Sequence, residues 1–144
     1  MGVKYIVIGG CAVILHGYYR TTHDIDLLVD PSPENIAKIK EVFYKIFQSD
    51  DAFRINDSDI MHYTVVRFAP EGTEAAIDLV GRIGDVSYEK ASEDIEKMKL
   101  EEIEVPLCGL STLIETKKGV RPKDKEDLLF LLGKKDYLEK QRNE

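Results

Sequence analysis

Two aspartates, two residues apart, are the first side chains in this sequence whose type and spacing could do chemistry. Asp24 and Asp26 fall in a run, residues 24–29, whose alternating apolar positions predict a β-strand. Residues two apart in a strand point to the same face, so both carboxylates would stand together while Ile25 and Leu27 face the core. Adjacent carboxylates repel each other, and a divalent cation removes that conflict. Oxygen ligands select hard ions such as Mg²⁺ or Mn²⁺. The alternative is the solvated polar face of an edge strand.

A third aspartate, Asp78, interrupts a second apolar run. Ile77 and Leu79 would face one side of that strand and Asp78 the other, although aspartate is depleted from strands. If this strand lies beside Asp24 and Asp26, three carboxylates meet. Such a cluster can hold two metal ions about 3.5–4 Å apart for phosphoryl chemistry. The alternative is a salt-bridged aspartate on an exposed face.

A glycine pair, Gly9 and Gly10, ends the predicted strand at residues 4–8 and opens a short predicted helix at residues 11–15. Without Cβ atoms, the backbone amides can approach a phosphate closely, and a helix N-terminus favours its charge. The pattern is neither the Walker loop nor G-x-G-x-x-G. A plain tight turn is the alternative.

The elements that must position these residues alternate between strands and helices. Apolar residues recur every three or four positions over Pro33–Phe47, and Ser32 before Pro33 predicts the start of that helix. Residues 61–68 and 74–80 predict a hairpin. The other predicted elements are a short strand at 52–55, a turn at 56–59, a polar helix or loop at 89–98, an edge strand at Ile103–Leu107, closing helices at 111–118 and 123–132, and a frayed tail.

This order predicts an α/β (α+β) fold, a mixed and mostly antiparallel sheet flanked by helices. The 144 residues make one domain, 1–144, with the closing helices inside residues 111–136. The 20 basic and 27 acidic residues give a net charge of −7, which argues against strong duplex nucleic-acid binding but allows a small basic pocket.

The location expected for the protein is the cytoplasm. The longest apolar stretch, residues 5–15, is far shorter than the roughly 20 residues that span a membrane. Cys11 and Cys108 make no disulfide framework and fit a reducing compartment.

Taken in order, the three signals resemble the nucleotidyltransferase superfamily typified by DNA polymerase beta. The finer pattern is similar to its small prokaryotic branch, which includes minimal nucleotidyltransferases, lincosamide-type nucleotidyltransferases and AbiEii-type toxins. The matching stretches are Gly9-Gly10-x-Ala12-x-x-x-His16-Gly17-x-x-Arg20-x-Thr22-x-Asp24-Ile25-Asp26-Leu27-Leu28-Val29, Leu113-Ile114-x-x-Lys117 and Arg121-Pro122-Lys123-Asp124-x-x-Asp127-Leu128.

The resemblance implies a nucleotidyltransferase fold and a role for each matched residue. Asp24 and Asp26 would bind two Mg²⁺ or Mn²⁺ ions, and Asp78 would complete the catalytic metal site and help deprotonate the acceptor hydroxyl. Gly9 and Gly10 would bind the triphosphate, and Arg20 and Thr22 would support the loop or contact phosphate. Positive charge on the far wall would come from Lys117, Arg121 and Lys123, whose alternative is ordinary solvated charge. His16 and His23 would make local hydrogen bonds.

The expected reaction moves a nucleoside monophosphate from an NTP to a hydroxyl of a small molecule, tRNA or protein and releases pyrophosphate. One rival is a non-catalytic subunit or antitoxin that binds a partner protein. Another is a nucleotide hydrolase, which needs a water-positioning base that the sequence does not offer. Relatives usually carry a helix before the Gly-Gly strand, and small members often depend on an all-helical partner. The chain is therefore expected to pair with a helical protein or with itself.

Overall fold

A mixed β-sheet with helices on both faces forms the centre of the computed structural model, which describes residues 2–22, 24–62, 65–74, 76–119 and 122–143. The strands are β1 (Tyr5–Ile8), β2 (Ile25–Val29), β3 (Val66–Phe68), β4 (Ile77–Val80), β5 (Arg82–Ile83), β6 (Val86–Ser87), β7 (Glu96–Leu100) and β8 (Ile103–Leu107). The α-helices are α1 (Gly9–Leu15), α2 (Pro33–Phe47), α3 (Asp57–Met61), α4 (Tyr88–Ala91), α5 (Leu110–Thr116) and α6 (Pro122–Arg142).

Six of these strands make one sheet in the order β3-β4-β2-β1-β8-β7, and β5 pairs with β6 separately. The β1–β2, β3–β4 and β7–β8 pairs are antiparallel, whereas β2–β4 and β1–β8 are parallel. The prediction of a mixed, mostly antiparallel sheet flanked by helices is confirmed. The predicted hairpin is also confirmed, with shorter strands at β3 and β4.

Two apolar clusters cover the two faces of the sheet. Leu28 and Val80 pack with α1, α5 and α6, whereas Val29 and Leu79 pack with α2 on the opposite face. Because side chains alternate along a strand, Asp26 shares the face of Leu28, and Asp78 shares the face of Val80. Both aspartates therefore lie on the face of α1, α5 and α6.

Helix α2 begins and ends where the sequence predicts. The Ser32 hydroxyl accepts a hydrogen bond from the backbone N–H of Asn35 at 3.3 Å, and Pro33 occupies the first helical position. Ile36, Ile39 and Phe43 are buried along the stripe that faces the sheet. This amphipathic helix closes the core on the side away from Asp26 and Asp78.

The segment after α2 is helical, which corrects two predictions. Residues 52–55 do not form a strand but fall in a 3₁₀ helix, Asp50–Arg54, that leads into Ile55, and most of the predicted turn at 56–59 belongs to α3. Side-chain caps stabilise both short helices: Ser49 accepts a hydrogen bond from the N–H of Asp51 at 3.2 Å, and Asn56 accepts one from the N–H of Ser58 at 2.8 Å.

The polar segment 89–98 is also divided differently from the prediction. It contains α4, a 3₁₀ turn at Ser92–Asp94 and the start of β7. Strand β7 lies at the sheet edge and pairs with β8, so β8 is not the edge strand that was predicted. Pro106 fits inside the sheet because the register of β8 with β1 is confined to Val7 and Leu107. Charged side chains on β7, Lys97 among them, are typical of a protected edge.

One side-chain position and one helix end differ from the prediction. Ile25 is 44% exposed, because it lies at the first residue of β2. Strand parity correctly separates it from the aspartates, but the expectation that it faces the core is wrong. The last helix, α6, reaches Arg142 rather than residue 132.

None of the helices in the described ranges is both long enough and apolar enough to cross a bilayer.

Candidate functional site

Asp26 and Asp78 stand side by side on neighbouring parallel strands. They are register partners of β2 and β4, whose backbones lie about 4.8 Å apart in any such pair. Burial, the Asp78 charge, a hydrogen bond with the Asp78 side chain and the Asp24 charge together raise the pKa of Asp26 to about 6, and only Lys117 opposes them. Asp26 therefore holds its proton more strongly than an ordinary aspartate does when no cation lies nearby.

Asp24 joins this pair through an arginine that the sequence analysis did not single out. The Arg67 Nε donates to Asp78 Oδ1 at 2.9 Å, and its Nη2 donates to Asp78 Oδ2 at 3.1 Å and to Asp24 Oδ2 at 2.9 Å. The guanidinium thus bridges two of the three carboxylates. In the described part of the chain, no three His, Cys, Asp or Glu side chains form a ready metal-ligand group.

The signal that could have found Arg67 is the predicted hairpin. Strand β3 pairs with β4 so that Arg67 lies directly opposite Asp78. Directly opposed side chains in antiparallel strands are close enough to form ion pairs. Asp78 is consequently salt-bridged, as the alternative for this residue held, but it is 8% exposed rather than on an open face. Strand β2 lies inside the sheet, which rules out the edge-strand alternative for Asp24 and Asp26.

A cleft of about 470 Å³ opens beside Asp24 and Asp26. Its volume is in the range typical of small-ligand sites. It gathers seven of the predicted site residues together with a proline and two further aspartates: Gly10, Arg20, Thr22, Asp24, Asp26, Lys117, Lys123, Pro122, Asp124 and Asp127. Arg121 and His23 lie outside the described residues.

Side chains of the site occupy the space that a Cβ atom on either glycine of the pair would need. Gly9 has a φ of +67°, and a Cβ atom there would lie 2.1 Å from Asp26 Oδ2. A Cβ atom on Gly10 would lie 3.2 Å from both Arg20 Nη2 and Thr22 Oγ1. The turn therefore lets Asp26, Arg20 and Thr22 close over the backbone; phosphate binding at the glycines stays a prediction.

Three buried charges and the partly exposed Arg20 form one wall of the cleft. Arg20 Nη1 donates to both carboxylate oxygens of Asp127 at 2.6 Å. Lys117 Nζ lies 3.0 Å from Asp127 Oδ2 and 3.5 Å from Asp124 Oδ1. Lys117, Asp124 and Asp127 are each no more than 6% exposed. The network fastens the loop before β2 to α5 and α6.

Lys117 is buried and its charge is paired with Asp124 and Asp127, so the alternative of an ordinary solvated charge is wrong for this residue. Its role as positive charge toward a nucleotide stays a prediction. Lys123 lines the same cleft and is exposed. The sequence feature that could have identified these partners of Lys117 is the three-residue spacing of Asp124 and Asp127, which puts both carboxylates on one face of a helix.

Within the described residues, His16, Cys11 and Cys108 do not line the cleft. His16 is buried, with Nε2 2.8 Å from the Cys108 carbonyl oxygen and Nδ1 3.0 Å from Lys134 Nζ, so the prediction of local hydrogen bonding is confirmed. Burial and the Asp26 charge raise the pKa of the Cys11 thiol. Burial, with Asp94 and Glu96, raises that of Cys108 to about 12. Both cysteines are therefore protonated at neutral pH and poor nucleophiles.

No protein-family model matches the sequence, and no curated protein matches it. What the geometry defines is a class of site: paired carboxylates on adjacent strands, a third carboxylate held nearby, and a cleft of mixed charge beside them.

Gly9→Ala is expected to lower the free energy of unfolding by about 2 kcal/mol, because the methyl group meets the Asp26 carboxylate and the backbone has a positive φ. Gly133→Ala is the matched control. It lies within α6 with open space at its Cβ position, so the same change should stabilise the protein by about 0.5–1 kcal/mol. Urea denaturation of both variants checks this; equal effects would show that the Gly9 turn tolerates a side chain.

Proposed function

We propose that the protein is a metal-dependent nucleotidyltransferase with a nucleotidyltransferase fold. It transfers a nucleoside monophosphate from an NTP to a hydroxyl acceptor with release of pyrophosphate. The observation that carries the proposal is the direct register of Asp26 with Asp78, beside Asp24 and a cleft large enough for a small ligand.

The donor set suits Mg²⁺ or Mn²⁺. Asp26 has a pKa raised to about 6, chiefly by its burial and by the Asp78 carboxylate, which is the electrostatic strain that a hard cation relieves. Asp24, Asp26 and Asp78 would hold the two ions. When bound, the ions supply charge neutralisation for the triphosphate and activation of the acceptor oxygen.

The chain's own residues have separable tasks in this reaction. Asp78, buried and next to Asp26, accepts or directs the proton of the acceptor hydroxyl. Thr22 and the exposed Lys123 line the cleft where the phosphates would lie, and Gly9 and Gly10 let the backbone come near them. Arg20 acts through its Nη1, which donates to both carboxylate oxygens of Asp127 and so fixes the loop that carries Thr22 and Asp24. Catalysis on this design is positioning and electrostatics.

A non-catalytic subunit or antitoxin that binds a partner is the second candidate, and two observations favour it. Arg67 already satisfies Asp24 and Asp78 without a metal ion. In addition, α6 exposes Leu129 and Tyr137, which are 73% and 60% exposed, as a partner-binding helix would. Pairing with a helical protein or with a second copy is compatible with either function, as is a cytoplasmic location with two unpaired cysteines.

Nucleotide binding should require the metal, because three carboxylates repel a triphosphate unless cations lie between them. In calorimetric titrations with ATP and GTP, we expect at least tenfold tighter binding in Mg²⁺ or Mn²⁺ than in EDTA. Equal affinity in both conditions would count against the carboxylate site. Absence of binding in both would favour the non-catalytic subunit.

A further inference from the structure

Arg67 places a positive charge where the proposed function needs a metal ion. Its guanidinium contacts Asp24 and Asp78 through three hydrogen bonds of 2.9–3.1 Å. A carboxylate oxygen that accepts an arginine N–H at this distance has that lone pair occupied. The arginine and a metal ion bound to the same oxygens therefore compete.

The arginine is placed so that it can give way. Its side chain is 54% exposed, and within the described residues its hydrogen bonds go to these two aspartates. The partners differ: Asp78 has a side chain that is 12% exposed and Asp24 one that is 39% exposed. Exposed ion pairs contribute little stability, so moving the guanidinium costs little.

The less exposed Arg20 shows the contrast. Its side chain is 17% exposed, and both of its carboxylate contacts go to Asp127, which is 1% exposed. Arg20 is held in the wall of the cleft, whereas the Arg67 side chain is 54% exposed. Of these two guanidinium groups, Arg67 is the one that can leave its partners at the lower cost.

We propose that Arg67 is a placeholder cation and then a phosphate ligand: it neutralises Asp24 and Asp78 in the metal-free protein, leaves them when divalent metal binds, and contacts the phosphates of the metal-bound nucleotide. This inference rests on the proposed function. A guanidinium displaced from carboxylates stays tethered to β3 within a side chain's length of them. A triphosphate arriving with the metal is the anion next to it, and arginine binds phosphate oxygens in the same two-pronged way as carboxylate.

The two roles predict opposite effects for one substitution. In Arg67→Gln, Mn²⁺ alone should bind about tenfold more tightly than to wild type, because its competitor is gone. An ATP analogue with a non-hydrolysable α–β bridge, titrated at saturating Mn²⁺, should bind about tenfold more weakly, because a phosphate ligand is gone. A residue that only supported the fold would weaken both.

Arg54→Gln is the matched control. Arg54 is an exposed arginine that lines a surface pocket together with Arg67, but its ion pair is with Asp51 at 3.4 Å, so the variant makes the same charge change on a different carboxylate. It should leave both affinities within about twofold of wild type. Arg67→Lys keeps the positive charge but lacks the planar guanidinium. Its affinities for Mn²⁺ and for the analogue should lie between those of wild type and Arg67→Gln. If Arg67→Gln does not fold, Arg67→Lys replaces it in both titrations.

The outcomes separate the two proposals. If wild type binds Mn²⁺ and the analogue, and Arg67→Gln binds Mn²⁺ no more tightly or the analogue no more weakly, then the placeholder role is overturned and the proposed function stands. If neither protein binds Mn²⁺ or the analogue, both proposals are overturned. Opposite shifts in the two titrations, with Arg54→Gln unchanged, support the role of Arg67.

Discussion

Asp26→Asn is expected to lower nucleotidyl transfer by about a thousandfold while leaving the fold intact. Asp26 lies in register with Asp78, and the charges of both Asp78 and Asp24 act on it, so on the proposed function its carboxylate would be a principal ligand of the metal ions. Losing a principal electrostatic stabiliser of a phosphoryl transition state typically has an effect of this size. The change is nearly isosteric, so packing around the half-buried side chain is preserved.

The same variant should be more stable than wild type when metal is absent. The folded-state pKa of about 6 lies above the usual value of 3.8, so the ionised Asp26 destabilises the fold at neutral pH. That penalty is full above pH 6, decreases as the pH falls from 6 towards 3.8, and is gone below that. Asn removes it. The shift alone corresponds to about 3 kcal/mol, and solvent screening of this partly exposed group reduces the expected gain to about 1 kcal/mol.

Thermal melting in EDTA at pH 7.5 and pH 4 measures this effect. We expect Asp26→Asn to melt a few degrees above wild type at pH 7.5 and at the same temperature at pH 4. Asp85→Asn, in the exposed turn between β5 and β6, is the control and should show no such dependence. Earlier melting of Asp26→Asn at pH 7.5 would mean that Asp26 is held in a stabilising ion pair.

Asp127→Asn is expected to have the largest effect on stability, a loss of about 3 kcal/mol. The substitution leaves Arg20 and Lys117 without the carboxylate that faces both of them inside the cleft wall. Removing one partner of a buried charge network leaves the other charges buried without a counter-charge. The loss of stability is then larger than the net contribution of the ion pair to folding. A loss of this size lowers the melting temperature by roughly 10 °C for a domain of this length.

A surface aspartate on the same helix provides the control. Asp136 pairs with Lys140 at 3.1 Å, and both side chains are well exposed. Asp136→Asn should therefore change the free energy of unfolding by less than about 0.5 kcal/mol in the same denaturation experiment. If the two variants lose equal stability, the Asp127 network does not anchor α6 to the loop before β2.

Strand parity was the most informative feature of the sequence. It predicted that Asp24 and Asp26 share a face and that Asp78 opposes Ile77 and Leu79, while the loop between two β-rich runs predicted the hairpin that contains Asp78. Such patterns are local, because alternation along one strand fixes the face of each side chain without information from the rest of the chain. The adjacency of β2 and β4 is a long-range fact, which the sequence analysis could state only as a condition.

Burial depth and charge partners were the features that local patterns could not supply. Parity gives the face of Ile25 but not how far α2 covers it, so its exposure was missed. The sequence shows that Lys117 is positive but not that Asp124 and Asp127 balance it. Glu and Lys residues in β7 favour helix by intrinsic propensity, and pairing with β8 overrides that preference.

The most direct test of the central claim is to follow the label from NTPs carrying ³²P at the α-phosphate or the γ-phosphate. The protein is incubated with Mg²⁺ and each NTP, with and without cell extract. Transfer of a nucleoside monophosphate predicts that α-label, and not γ-label, becomes attached to an acceptor, and that Asp26→Asn abolishes this attachment. Release of labelled mononucleotide with no labelled acceptor would indicate a hydrolase. The claim would be contradicted by an unchanged NTP pool, or by attachment that persists undiminished in Asp26→Asn.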